Sequence, residues 1–135
     1  QGLALSAQQI ADAHKIRGVT LTRITDHMNQ HRLDAIIGPT NQVLPFDLTT
    51  PYITRINDQS LETYIDWLAS NFIITMAGLP AISIPAGMAA ERDNEAPLPV
   101  GLQAVGRWGQ DMDLLDVAEI LESALAPLNA SRRPS

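Results

Sequence analysis

The chain has 135 residues, with 9 Lys plus Arg against 15 Asp plus Glu and a formal net charge of −6. That length allows one domain at most, with enough chain to bury a hydrophobic core. No basic cluster occurs beyond Arg132-Arg133, so a surface that tracks a phosphate backbone is excluded and nucleic acid is not an expected partner. The absence of Cys excludes disulfides, Cys-ligated zinc and thiol nucleophiles, and makes the cytoplasm the default compartment. No apolar run reaches the roughly 18 residues of a membrane span, and Gln1-Gly2-Leu3 opens no signal-peptide pattern, so no membrane partner is expected.

From Ser6 to His31 the apolar positions Ile10, Leu21, Ile24 and Met28 recur at three- and four-residue steps, with His14, Arg17 and His31 in the same stripe. This spacing predicts a long helix with a patchy apolar face. Ser6 caps its first turn and Gln9 stands three residues on, as a capping box requires. Leu33 to Thr40 is a short apolar burst closed by Gly38-Pro39, which predicts a buried strand. Residues 39–57 carry Pro39, Pro45 and Pro51 and leave room only for an ordered loop or the wall of a cleft.

Asn57 or Asp58 is the expected cap of a second helix, with Leu61, Ile65, Leu68, Phe72 and Met76 on one stripe and Gly78 then Pro80 as its stop after Ala77. The stripe assigns Phe72 to the core. Ala81-Ile82-Ser83-Ile84-Pro85 and Val100 to Val105 are two further short strands, joined by the polar stretch Gly87 to Pro99 as a long-looped hairpin. The small residues Ala81 and Ser83 share one face, on which something must approach closely. Asp111 is the expected cap of a last helix, with Leu114, Val117, Leu121, Ala124, Leu125 and Leu128 on one face and Pro127 at its end. A polar tail, 131–135, follows. Three short strands and three main helices define an α/β chain whose strands need cover on both faces.

Several side chains invite chemistry. His27 and His31 stand four apart with Asp34 beyond, a spacing that could offer two imidazoles and a carboxylate to a metal. Their position at the end of a helix is accounted for more simply by the macrodipole, and neither a metal nor a cofactor is expected. Ser83 lies inside a strand pattern with no G-x-S-x-G elbow, so a small strand residue is the ordinary reading. Lys15 is the only lysine and sits in a polar, solvated context unsuited to a lysine base.

Leu33-Asp34-Ala35-Ile36-Ile37-Gly38-Pro39-Thr40, then Tyr64 to Ser70, then Ala77-Gly78-Leu79-Pro80-Ala81-Ile82-Ser83-Ile84-Pro85-Ala86-Gly87, then Leu98-Pro99-Val100-Gly101-Leu102-Gln103-Ala104-Val105-Gly106 resembles the C-terminal end of the amidase signature family. The resemblance implies the C-terminal part of a larger α/β/α fold, with a short mixed sheet of about three strands here and hydrolysis of carboxylic amides through a serine acyl-enzyme in the intact protein. The family's nucleophilic Ser, cis-Ser and base Lys belong to upstream segments with no counterpart here, so no catalytic residue is carried over. The resemblance further implies that the helix before the Gly-x-Pro block borders the substrate channel through Leu68, Asn71 and Thr75, with Thr40 and Asn41 as a second wall. Members that bind glutamine carry an acidic residue near Leu68, and the apolar Leu68 counts against that role.

The expected function is therefore a C-terminal portion, residues 1–135 as one unit, that supplies sheet and channel wall and is inactive alone. A non-catalytic binding module with the same terminal fold is the alternative, and a small hydrolase using Ser83 or His27-His31 ranks last. The expected partners are a small-molecule amide in the intact enzyme and an upstream amidase segment or a second copy of the chain, because unpaired apolar strand edges invite pairing into a homo-oligomer.

Overall fold

The structure, a computed structural model, describes residues 4–90 and 96–130. The polar tail 131–135 and part of the Gly87 to Pro99 connection lie outside them. Helix α1 spans Ala7–His31 and opens on the expected capping box: Ser6 Oγ accepts from Gln9 N at 3.2 Å and Gln9 Oε1 accepts from Ser6 N at 2.8 Å. It closes on Arg32 in the left-handed conformation (φ 52°). Strand β1 is Ile36–Pro39. A two-residue strand β2, Arg55–Ile56, pairs with β3, Gln59–Ser60, and a 3-10 turn at Asp66–Leu68 leads into α2, Ala69–Ala77. Strands β4, Ala81–Ala89, and β5, Leu98–Val105, precede α3, Asp111–Ala130.

The main sheet has the order β1-β5-β4, with both pairings antiparallel. The α/β layering of three helices on three strands is as expected, but the sheet among the described residues is antiparallel rather than mixed. The reason is topological: β4 and β5 form one hairpin, and β5 lies between β1 and β4, so the two strands that run the same way never touch. The hairpin is longer than its apolar runs suggest and absorbs a bulge between Pro85 and Met88.

Strand alternation divides the sheet's two faces. Ile84 and Ala104 are buried on the face covered by α3, through Leu114 and Ala118. Val105, with Ala77 and Leu79, forms the core of the other face, against which Leu21 and Ile24 of α1, Ile36 and Ile74 pack. Among the described residues Met28 is the largest side chain buried completely. Asn129 Nδ2 donates to Pro85 O at 3.0 Å and ties the end of α3 to the bulge.

Four expectations are corrected. β1 is half-exposed rather than buried, with Ile37 at 58% exposure, because it is the edge of the sheet and nothing described covers its outer face. The second helix begins at Ala69, not after Asn57. Asn57 takes φ 51° in the two-residue connection of the β2–β3 hairpin, and the Asp66 carboxylate accepts from Glu62 N, Thr63 N and Thr63 Oγ1 at 2.9, 2.8 and 2.7 Å. A local carboxylate turn thus outcompetes helix over 61–66. Phe72 faces outward at 36% exposure, because α2 meets the sheet through the smaller Ala77 and the half-buried Ile74. Finally, α3 begins at Asp111 itself and runs through Pro127 to Ala130, the proline costing the helix one N–H donor close to its end.

The core is thin. The chain, 14.7 kDa, exposes 10280 Å², whereas the usual scaling of surface with mass gives about 6,900 Å². The N-terminal half of α1 contributes Ile10, Ile16 and Val19 to this surplus, and α3 contributes Met112, Leu115 and Ile120.

Candidate functional site

Where β1 leaves the sheet, Pro39 ends the ladder and Thr40 N makes one last bond to Gly101 O at 3.0 Å. Opposite, Ser83 of β4 points to the same face, and Thr40 Oγ1 and Ser83 Oγ stand 2.8 Å apart across Gly101. A Cβ on Gly101 would lie 2.6 Å from Thr40 Oγ1 and 2.9 Å from Ser83 Oγ, so the glycine is what lets the two hydroxyls meet. This is the close approach that the small residues of β4 imply.

The loop after Thr40 folds over this floor and encloses a pocket of about 530 Å³, walled chiefly by Thr40, Asn41, Leu44, Phe46, Trp67 and Ser83. Such a volume lies within the range of small-molecule sites. Gln42 Nε2 donates to Asp66 O at 3.0 Å and fastens the loop to the 3-10 turn. Phe46 and Trp67 then meet edge to face, ring centroids 5.5 Å apart at 85°. Trp67 Nε1 is shielded from water and has no hydrogen-bond partner among the described residues.

A ladder of carboxamides runs from the sheet to the pocket. Gln103 Nε2 donates to Asn71 Oδ1 at 3.2 Å, and Asn71 Nδ2 donates to Asn41 Oδ1 at 3.2 Å. Ser70 Oγ reaches Thr40 O at 3.4 Å from the same helix. With one lone pair of its Oδ1 held by Asn71, Asn41 keeps its Nδ2 donors for the pocket.

The five proposed channel residues are therefore divided. Thr40 and Asn41 line the pocket and Asn71 positions Asn41 from behind. Leu68 is half-buried at the start of α2 and does not line the pocket. Thr75 is exposed, with its hydroxyl donating to Asn71 O at 3.2 Å within the helix. Phe46, Trp67, Ser83 and Gly101 complete the wall. The small residues of β4 and a glycine inside the apolar run of β5 were the available signals for that floor.

Among the described residues no Asp, Glu, His or Lys lines the pocket. The two carboxylates next in sequence to its aromatic walls are turned into their own loops. Asp47 is held below its ordinary pKa first by the Thr49 hydroxyl, and Asp66 likewise by the Thr63 hydroxyl. Ser83 thus has Thr40 for a partner and no base beside it, and Lys15 lies exposed on α1. The His27 and His31 rings meet tilted at 50° with centroids 4.5 Å apart, while Asp34 comes after the left-handed turn at Arg32. Among the described residues no three His, Asp or Glu side chains converge as metal ligands.

A second polar device was not anticipated. The Arg107 guanidinium, just after β5, bonds Leu33 O at 2.8 Å, Met28 O at 3.4 Å and Asn29 Oδ1, and so closes the C-terminal end of α1.

Comparison with known proteins identifies the class. The family pattern described as Amidase matches residues 1–115, and the chain belongs to that family. It is 34% identical over 112 residues to a glutamyl-tRNA(Gln) amidotransferase subunit of Chlorobium phaeobacteroides, covering 82% of this chain and 20% of the relative. It is 35% identical over 96 residues to a mandelamide hydrolase of Pseudomonas putida, covering 71% of this chain and 17% of the relative. A solved structure described as an amidase shares the fold with a TM-score of 0.68 at 24% identity, over 92% of this chain and 26% of that one. The chain thus spans about a fifth of the length of the relatives it matches. No helix among the described residues is long and apolar enough to cross a membrane.

Proposed function

We propose that the chain is the C-terminal portion of an amidase-type hydrolase, acting on carboxylic amide C–N bonds in the intact protein. Its own part is sheet, together with one wall of the substrate channel formed by Thr40 and Asn41 and braced by Asn71. The observation that carries this is a ligand-sized pocket with amide and hydroxyl groups on its wall and no nucleophile-base pair. Amide hydrolysis needs an activated nucleophile, a base in reach and donors for the oxyanion, and here the one serine on the wall lacks a base. Those groups come from elsewhere in the family's fold. The surface in excess of a compact monomer, roughly 3,000 Å², favours the same view, because it is about four times what one partner buries in a standard protein interface.

The test is an amide-hydrolysis assay of the chain alone and of the chain joined to the remainder of an amidase fold. Turnover is expected only in the joined protein, with Asn71→Ala lowering it. Turnover by the chain alone, abolished by a serine-directed inhibitor, would refute the proposal. In isolation the free edges of β1 and β4 are expected to pair with a second copy, since each has a partner strand on one side only. Light scattering that finds monomer at high concentration would count against such pairing.

A further inference from the structure

Resting on the channel-wall role proposed above, we infer that the pocket beneath the 40–46 loop seats the uncharged aryl group of a neutral carboxamide, whose carbonyl oxygen is met by Asn41 Nδ2. The wall selects against charge. Among the described residues none of its side chains is ionisable, and the neighbouring Asp47 and Asp66 carboxylates are bound within their own turns, so an ammonium finds no counter-ion there and a carboxylate no cation. The wall selects for a flat apolar group, because the Phe46–Trp67 pair offers an aromatic corner and Leu44 adds an aliphatic side.

The wall also selects for a neutral acceptor. The carboxamide ladder runs in one direction, each amide nitrogen donating to the next amide oxygen, and ends at Asn41, whose Oδ1 already accepts one bond and whose Nδ2 keeps its donors. The N–H groups at its end suit a carbonyl oxygen. Thr40 and Ser83 hydroxyls, occupied with each other, form a polar floor without net charge.

The experiment uses the full chain carrying Trp108→Phe, which leaves Trp67 as the single indole, since the sequence has 2 Trp. Its indole N–H resonance and fluorescence are followed during titration with benzamide, benzoate and acetamide. Benzamide is expected to bind saturably, with benzoate and acetamide each weaker by roughly tenfold or more, the first for its unpaired charge and the second for its missing ring. Phe46→Ala and Asn41→Asp should each weaken benzamide while leaving the backbone spectrum elsewhere unchanged. Equal or tighter binding of benzoate, equal binding of acetamide, or no saturable binding of benzamide overturns the inference. Benzamide binding without amide turnover in the joined protein would leave the ligand class standing and remove the hydrolase role. Turnover without any preference for the aryl amide would do the reverse.

Discussion

Adding one methyl group at Gly101 tests whether the pocket floor is built as described. The new Cβ would sit 2.6 Å from Thr40 Oγ1, 2.9 Å from Ser83 Oγ and 3.2 Å from Thr40 Cβ. These contacts are too short to persist, so Thr40 must move, and with it the 2.8 Å hydroxyl pair and the Thr40 N to Gly101 O bond at the end of the ladder. Overpacking of this kind costs about 1–3 kcal/mol, and a lost hydrogen bond about 0.5–1.5 kcal/mol more. Gly→Ala returns about 0.4–1 kcal/mol by restricting the unfolded chain, because Gly101 does not need a positive φ. Gly101→Ala is therefore expected to destabilise by about 1–3 kcal/mol net, measured by urea unfolding followed by circular dichroism. In a Thr40→Ala, Ser83→Ala background both crowding oxygens are gone, and the same substitution should cost less than about 0.5 kcal/mol. An equal cost in both backgrounds would show that the hydroxyl pair does not set the space at Gly101.

Arg107→Ala should release the C-terminal end of α1 at a cost of about 2 kcal/mol, since a charged donor bonded to carbonyls is worth more than a neutral one. Hydrogen exchange should quicken at the end of α1 and not in α3, and Arg107→Lys should recover only part because a point charge cannot bridge the same carbonyls. Met28→Ala, at a site with 0% exposure, should cost about 2–5 kcal/mol in the same unfolding assay; a loss below about 1 kcal/mol would mean that α1 is not anchored there. The lowered pKa of Asp66 gives the 61–66 turn a pH dependence. Its stabilising effect is present above the ordinary carboxylate value of 3.8 and is lost as pH falls through the lower folded value. Thr63→Ala should move the Asp66 carboxyl titration, read by NMR, back toward 3.8; an unchanged titration would rule out the hydroxyl as its main cause.

Local signals were enough for the elements whose ends are set by local chemistry. The Ser6–Gln9 capping box opens α1 and Gly78 closes α2 at φ 75°, because a helix end needs only nearby donors, acceptors or a residue free to turn left-handed. The residues 33–106 likewise carried the family and the order of strands, since short apolar runs between Gly and Pro can be little else. Tertiary structure decided the rest. Periodicity marked Phe72 and Met76 as inward, yet contact with the sheet selected Asn71, Ile74 and Ala77, because the helix presents the face that fits its neighbours and not merely the more apolar one. Thr40, Asn41 and a wall-forming loop were legible, but the rest of the pocket was not, for a similar reason. Thr40, Trp67, Ser83 and Gly101 stand far apart in the chain, and only the antiparallel placing of β5 between β1 and β4 brings two hydroxyls together over a glycine. Sequence determined which segments could bend, cap and pair; long-range packing determined which side chains share a cavity, because that depends on register between strands distant in the chain.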